Sequence, residues 1–283
     1  MRPNFADRCA FGLTSVQSAE TARRPLAEFV TWIGERAAIE ISTKAIPSYA
    51  TLAQRVREES IDVAWLPPVL YIALERARVV TPLVSNHRAG QAAFHGVLLV
   101  RASAPLHTLD GLRGLRAAWV DPYSASGYVM PRIQLAALGI DPRKTFAGEV
   151  FTGSHDAAVR ALLDGTADVT ATFARVDGGG NVTSGSWSQV PEARSQVRVL
   201  WTFGAIPSDV IAARLGYGDA LCERIADAFV ASTNAAAITP IARRIFGVEE
   251  FRRGHMQSYA SLRLAIEQAS ANGFIDDLHL GSL

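Results

Sequence analysis

Two short stretches of this chain combine residue types that could hold an anion. Residues 121–128 read Asp-Pro-Tyr-Ser-Ala-Ser-Gly-Tyr and lie between an apolar run, 116–120, and an amphipathic run, 128–138. The pattern predicts a strand, a tight loop and a helix start. The first turn of a helix carries unpaired N–H groups and the positive end of the helix dipole, so an oxyanion placed there meets donors. Ser124 and Ser126 would add hydroxyls, and Gly127 would let a ligand approach the backbone closely. No lysine or arginine lies in the octet, so the charge would be met by dipoles and hydrogen bonds. The competing reading is that Ser124 or Ser126 only N-caps the helix.

The second stretch, residues 151–156, reads Phe-Thr-Gly-Ser-His-Asp and again follows a strand pattern and precedes a helical one, 157–163. Thr152, Ser154 and the backbone repeat the helix-start logic. His155 could donate to an oxyanion and, when protonated, add a charge. Capping by Ser154 or His155 is again the simpler alternative. Two anion-competent helix starts in adjacent strand–helix units favour a shared pocket. The run Ser154-His155-Asp156 does not read as a catalytic triad, because sequence neighbours rarely face one another in nucleophile–base geometry. Ser-Ala-Ser-Gly also lacks the G-x-S-x-G elbow, so a hydrolase is not expected.

These stretches need a scaffold, and the chain supplies an alternating one. Strand patterns at 9–13, 38–43 and 61–65 alternate with helical ones at 26–33, 49–58 and 69–77. A second series follows the strand 96–101: strand 116–120, helix 127–138, strand 147–151, helix 155–163, strand 167–172 and strand 197–203. Residues 219–264 read as helical, broken at Thr239-Pro240 and at Phe246-Gly247. This rhythm predicts an α/β protein whose sheets are mixed but mostly parallel and flanked by helices. Connectors near 101 and 204 would divide the chain into lobe 1 (1–101 and 204–283) and lobe 2 (102–203), with a ligand cleft at the strands' carboxyl ends. The glycine- and serine-rich stretch 178–186 reads as a flexible surface loop.

Three further residues bear on a cleft. Tyr49 opens a helix in the first lobe and is read either as a ring closing over a ligand or as packing. Trp65 reads as core, with Leu66-Pro67 as a cleft wall. Asp209 either caps the segment after it or faces the cleft.

Composition excludes several function classes. The chain has 283 residues, 49% apolar and 19% charged, enough for two buried cores. Its 28 basic and 27 acidic residues leave a formal charge of +1, which gives no electrostatic case for nucleic acid or an anionic membrane. Cys9 and Cys222 are the only cysteines and the six histidines form no paired motif, so neither a structural metal site nor a bound cofactor is expected. No stretch approaches the length of a membrane span. The first ten residues are charged where a signal peptide needs an apolar core, so no export signal is expected in them.

Taken together, the motifs resemble those of the phosphonate/phosphite substrate-binding proteins of ABC transporters, the PhnD-like branch of the type II periplasmic-binding fold. The matching stretches are Phe-Gly-Leu-Thr (11–14), Ser-Tyr-Ala-Thr-Leu (48–52), Ile-Asp-Val-Ala-Trp (61–65), residues 121–131, Gly-Ile-Asp-Pro (139–142), residues 151–157 and Ile-Pro-Ser-Asp (206–209). The resemblance implies a two-lobed, non-enzymatic protein that closes on a small phosphorus oxyanion, with an ABC permease as partner and a periplasmic location. By motif position it places the family's oxyanion-binding hydroxyls on Ser124 and Ser126, its histidine on His155 and its first-lobe aromatic on Tyr49, with Phe94 at a second aromatic position; Tyr123, Ala125, Gly127, Ser154, Arg175 and Asp209 complete the expected ligand-binding set. Ala125 stands where the family commonly has threonine, which removes one hydroxyl. Where relatives that take aminoalkyl phosphonates have an acidic residue after the 167–172 strand, this chain has Arg175, with Asp177 within an alignment slip. An arginine there would repel an ammonium group, so 2-aminoethylphosphonate is not expected to be the best ligand. Two alternatives remain: a cytoplasmic oxyanion sensor, and a biosynthetic enzyme of the same fold resembling pyrimidine-precursor synthases. The enzyme would need a reactive lysine, and only Lys44 and Lys144 exist.

Overall fold

The computed structural model describes residues 6–14, 23–87, 93–254 and 258–275; half of the charged N-terminal decamer, residues 1–5, lies outside them. In chain order the elements are β1 (Arg8–Thr14), α1 (Arg23–Ala37), β2 (Glu40–Ile46), α2 (Tyr49–Arg57), β3 (Val63–Leu66), α3 (Pro68–Arg76), β4 (Val80–His87) and β5 (Ala93–Arg101). Then come β6 (Arg116–Trp119), α4 (Met130–Ala137), α5 (Pro142–Thr145), β7 (Gly148–Phe151), α6 (His155–Leu163), β8 (Val169–Val176), β9 (Val182–Gly185) and α7 (Ala193–Gln196). The chain finishes with β10 (Val197–Pro207), β11 (Val210–Arg214), α8 (Asp219–Ser232), α9 (Thr239–Phe246), β12 (Glu250–Arg252) and α10 (Ser258–Ala271).

Two compact units result: described residues up to 87 with 208–254 and 258–259, and 93–207 with 260–275. The first crossing therefore falls between 87 and 93, earlier than the expected 101, while the second, at 207/208, lies within four residues of the expected 204. Pairing explains the difference. From Ala93 onward β5 is laced to β10, and from His95 to β8, so all of β5 and β10 belongs to the second sheet. The C-terminal residues from Ala260, expected in lobe 1, also cluster with the second unit. Arg132 Nε donates to Phe274 O at 2.5 Å and Arg143 Nη1 to Asn272 O at 2.9 Å, which ties them there.

The first unit is built on a sheet of order β12-β4-β11-β3-β1-β2. β1 is parallel to β2 and β3, while β11 runs antiparallel between β3 and β4. An aromatic core closes one face: Phe29, Trp65, Phe229, Phe246 and Phe251 are buried together, and Trp65 stacks on Phe246 with ring centroids 4.2 Å apart. Each such side chain contributes about 1.5–3 kcal/mol by leaving water. Trp65 is thus core, as its sequence context implied. Leu66 and Pro67, read as a cleft wall, are buried too. Pro68 occupies the first turn of α3, where its missing N–H costs nothing.

The second unit has the order β10-β5-β8-β6-β7, with β9 on β8. β8, β6 and β7 are parallel, whereas β10, β5 and β9 pair antiparallel. Three antiparallel pairings in each sheet, among the described residues, make the sheets more mixed than the β-α-β rhythm implies. Residues 178–186 are also not simply a loop, because β9 turns back onto β8 and Ser186 is fully buried behind it.

Candidate functional site

In the second unit the parallel trio β8-β6-β7 sends the carboxyl ends of β6 and β7 to one side, next to each other. Thr152 N donates to Trp119 O and Gly153 N to Val120 O, both at 2.8 Å. The two loops singled out in the sequence are therefore bonded neighbours, and each opens a helix.

The first loop folds around Asp121. Its carboxylate accepts from Tyr123 N at 2.8 Å and its carbonyl from Ser124 N at 2.9 Å. Burial pushes the Asp121 carboxyl above its ordinary value, the Tyr123 N–H opposing the shift only in part. The helix then begins two residues earlier than its apolar pattern implied, with a widened π turn over Ala125–Val129. Val129 N reaches back to Ser124 O at 3.0 Å, and the Met130 N–H bonds Ala125 O. Such turns recur at functional sites because they displace the backbone from the regular ladder.

The two serines divide the roles left open by the sequence. Ser124 Oγ accepts from Gly127 N at 3.1 Å and so is the cap. Ser126, 3% exposed, has no side-chain hydrogen bond among the described residues. Tyr123 and Ala125 are buried beside them. Gly127 is required by packing within the protein: a Cβ there would sit 2.4 Å from Val120 Cγ2 and 2.7 Å from Ser124 Oγ.

In the second loop Ser154 Oγ caps α6 by accepting from Ala157 N at 3.1 Å. Thr152 Oγ1 bonds backbone carbonyls, Trp119 O at 3.0 Å and Ser154 O at 3.2 Å. Both residues thus shape the loop. His155 is half-buried; its Nδ1 lies 2.7 Å from Thr172 Oγ1 and its ring stands edge-on to Phe173. Desolvation lowers its pKa to about 4, so the imidazole is neutral at physiological pH. The donors gathered here are therefore hydroxyls, backbone N–H groups and a neutral ring. Such a set can bind an oxyanion through hydrogen bonds without burying a countercharge.

Other expected residues lie elsewhere. Arg175 is within β8, not on a loop after it, because that strand runs on to Val176; its side chain is exposed. Asp177 closes the turn into β9, accepting from Gly179 N and Asn181 N at 2.9 Å each, and these bonds lower its pKa. Phe94 lies within β5, not before it, half-buried opposite Ile206. In the first unit, Tyr49 is half-buried at the start of α2, which Ser48 caps through Thr51 N at 3.1 Å. Asp209 is followed by strand β11, so it caps no helix; its carboxylate accepts from Trp65 Nε1 at 3.1 Å. Among the described residues no cluster could hold a metal ion, and no helix is long and apolar enough to cross a membrane.

Thr172 and Ser186 went unrecognised in the sequence. The available signal was the alternation Thr170, Thr172 inside an otherwise apolar strand, since a buried threonine must find a partner.

The family model for periplasmic substrate-binding proteins of phosphonate ABC transporters matches residues 11–259. The chain belongs to that family. It is 23% identical over 225 residues to the phosphonates-binding periplasmic protein of Escherichia coli, covering 78% of this chain and 64% of that one. It is also 23% identical over 196 residues to the phosphate-import protein PhnD of Mycolicibacterium smegmatis, covering 66% of this chain and 60% of that one. The chain thus spans somewhat less than two thirds of these curated relatives. Among solved structures, the binding component of an ABC phosphonate transporter from Pseudomonas aeruginosa superposes with a TM-score of 0.78 at 19% identity, covering 97% of this chain and 91% of that one. PhnD1 of Prochlorococcus marinus, solved with methylphosphonate, gives 0.77 at 16% identity, covering 93% and 98%. The aliphatic sulphonate-binding protein SsuA of E. coli gives 0.64 at 16% identity, covering 96% and 94%. The fold is that of the type II periplasmic binding proteins.

Proposed function

We propose that the chain captures a small phosphorus oxyanion, a phosphonate, phosphite or phosphate ester, and delivers it to the permease of an ABC transporter in the periplasm. One observation supports the reading most: two capped helix starts are bonded side by side at the carboxyl ends of β6 and β7, the first carrying Ser126, whose hydroxyl has no hydrogen bond among the described residues, and the second carrying the neutral His155. That hydroxyl is free to donate to an anion oxygen, and a hydrogen bond to a charged group contributes about 1.5–3 kcal/mol. Family membership and the likeness to a methylphosphonate-bound protein support the ligand class. Ser126, His155 and the N–H groups of Ala125 and Ser126 are the proposed ligand contacts in the second unit, with Tyr123, Ser124, Ser154 and Phe94 shaping the site. The exposed Arg175 carries no carboxylate for an ammonium group, so 2-aminoethylphosphonate is expected to bind more weakly than methylphosphonate.

A thermal-shift series with methylphosphonate, phosphite, phosphate, 2-aminoethylphosphonate, sulfate and methanesulfonate tests the reading, since a ligand that binds only the native state raises the melting temperature. Selective stabilisation by a phosphorus oxyanion is the expected result. Selective stabilisation by the sulfur oxyanions would assign the ligand to the sulfonate class instead, and no shift with any of them would refute an oxyanion site.

A further inference from the structure

His155 Nδ1 is the end of a short chain of hydrogen bonds. Thr172 Oγ1 lies 2.7 Å from that nitrogen and 2.6 Å from Ser186 Oγ. Thr172 and Ser186 are both fully buried, and among the described residues neither hydroxyl has another side-chain partner. Three groups share two bonds, and the two hydroxyls own one proton each. If Ser186 donates to Thr172 and Thr172 donates to Nδ1, both protons are used. If instead Nδ1–H donates to Thr172, one hydroxyl proton is left in a dry site with no acceptor. That omission costs about 1–3 kcal/mol, enough to bias the ring about fivefold to more than a hundredfold.

We propose that Thr172 and Ser186 are positioning residues that hold His155 as its Nε2–H tautomer, so that the ring offers an oxyanion a neutral donor. The inference rests on the proposed function for the identity of the ligand, but not for the tautomer. Nε2 makes no hydrogen bond among the described residues, which leaves its proton available. The Phe173 ring, edge-on at 5.0 Å, limits the imidazole's rotation. With the opposite tautomer, Nε2 would present a lone pair to the anion and repel it. The relay spans three elements, the start of α6, the middle of β8 and the turn after β9, so the β8–β9 hairpin is what completes it.

The tautomer can be read directly by NMR of protein labelled with nitrogen-15 in its histidine rings, without ligand, near neutral pH. His155 should show a protonated Nε2 and an unprotonated, hydrogen-bonded Nδ1; a protonated Nδ1 in the wild-type protein overturns the proposal. Affinity for methylphosphonate supplies the second readout. Thr172→Val keeps the shape and removes the donor, and should weaken binding about five- to thirtyfold, while Thr172→Ser stays within about threefold of wild type. Wild-type affinity in a folded Thr172→Val variant also overturns the proposal. If Thr172→Val does not fold, the wild-type spectrum still decides. If methylphosphonate does not bind the wild-type protein, the proposed ligand class fails while the spectrum decides the relay separately.

Discussion

Replacing Gly127 by alanine tests the packing that shapes the site. The new Cβ would lie 2.4 Å from Val120 Cγ2, 2.6 Å from Val120 Cβ and 2.7 Å from Ser124 Oγ. Carbon atoms pack best about 3.5–4.0 Å apart, so Val120 or the loop must move by about 1 Å. Overpacking of this kind costs about 1–3 kcal/mol. Displacing Ser124 Oγ from Gly127 N would cost about 1 kcal/mol more in lost capping, so Gly127→Ala should lower stability by about 2–4 kcal/mol. The same shift moves Ser126, so the affinity for methylphosphonate should fall by at least about tenfold, or 1.4 kcal/mol. Gly148→Ala is the control, because nothing lies within 4 Å of its Cβ position, and it should stay within about 0.5 kcal/mol. Urea unfolding followed by tryptophan fluorescence gives the first quantity and isothermal titration calorimetry the second. A Gly127→Ala protein within about 0.5 kcal/mol of wild type in both would refute the packing argument.

Arg132 is buried against Glu149, over the Tyr128 ring and on Phe274 O; Arg132→Leu should cost about 2–4 kcal/mol, seen as a lower urea midpoint, whereas Arg160 pairs with Glu192 on the exposed surface and Arg160→Ala stays within about 1 kcal/mol. Asn86 is fully buried with neither amide atom bonded, so Asn86→Leu should leave stability unchanged or raise it by up to about 2 kcal/mol in the same assay. The lowered pKa of His155 means that the unfolded chain binds a proton more readily than the folded one. Stability without ligand should therefore fall as pH drops from 6.5 to about 4, by at most about 3 kcal/mol and nearer 2 with solvent access to the ring, and His155→Asn should flatten that segment. A second loss follows between 3.8 and about 2 as Asp141, held down by Arg143, takes up its proton, and this one should persist in the variant.

Where local pattern and tertiary environment agree, the sequence was readable. α6 begins at His155 and ends at Leu163 as its periodicity implied, and α2 starts at Tyr49 after its serine cap. The missed strands share a cause. β4 contains Pro82 and ends in Ser-Asn-His, so neither its alternation nor its apolar content announces a strand; it forms because β11 and β12 pair with it. β11 is five residues long, and β9 sits in a run of glycine and serine whose composition signals a loop. The boundary near 101 was placed too late because β5, legible as a strand, pairs along its length with β10 and β8, which local pattern does not reveal, while the boundary near 204 came within four residues. At the site, both helix starts were legible, but the split between a capping Ser124 and an unpaired Ser126 depends on the π turn. The partnership of His155 with Thr172 and Ser186 spans residues 155 to 186 and exists only through the β8–β9 hairpin.

The central claim is that this chain holds a phosphorus oxyanion through Ser126 and its neighbours. Calorimetric titration of methylphosphonate into the wild-type protein and into Ser126→Ala, with methanesulfonate as the comparison ligand, tests it most directly. The account predicts saturable single-site binding of methylphosphonate, weaker binding of methanesulfonate, and a loss of about 1.5–3 kcal/mol in Ser126→Ala, the worth of a hydrogen bond to a charged ligand. Equal methylphosphonate affinity in the two proteins, or none in either, would contradict it.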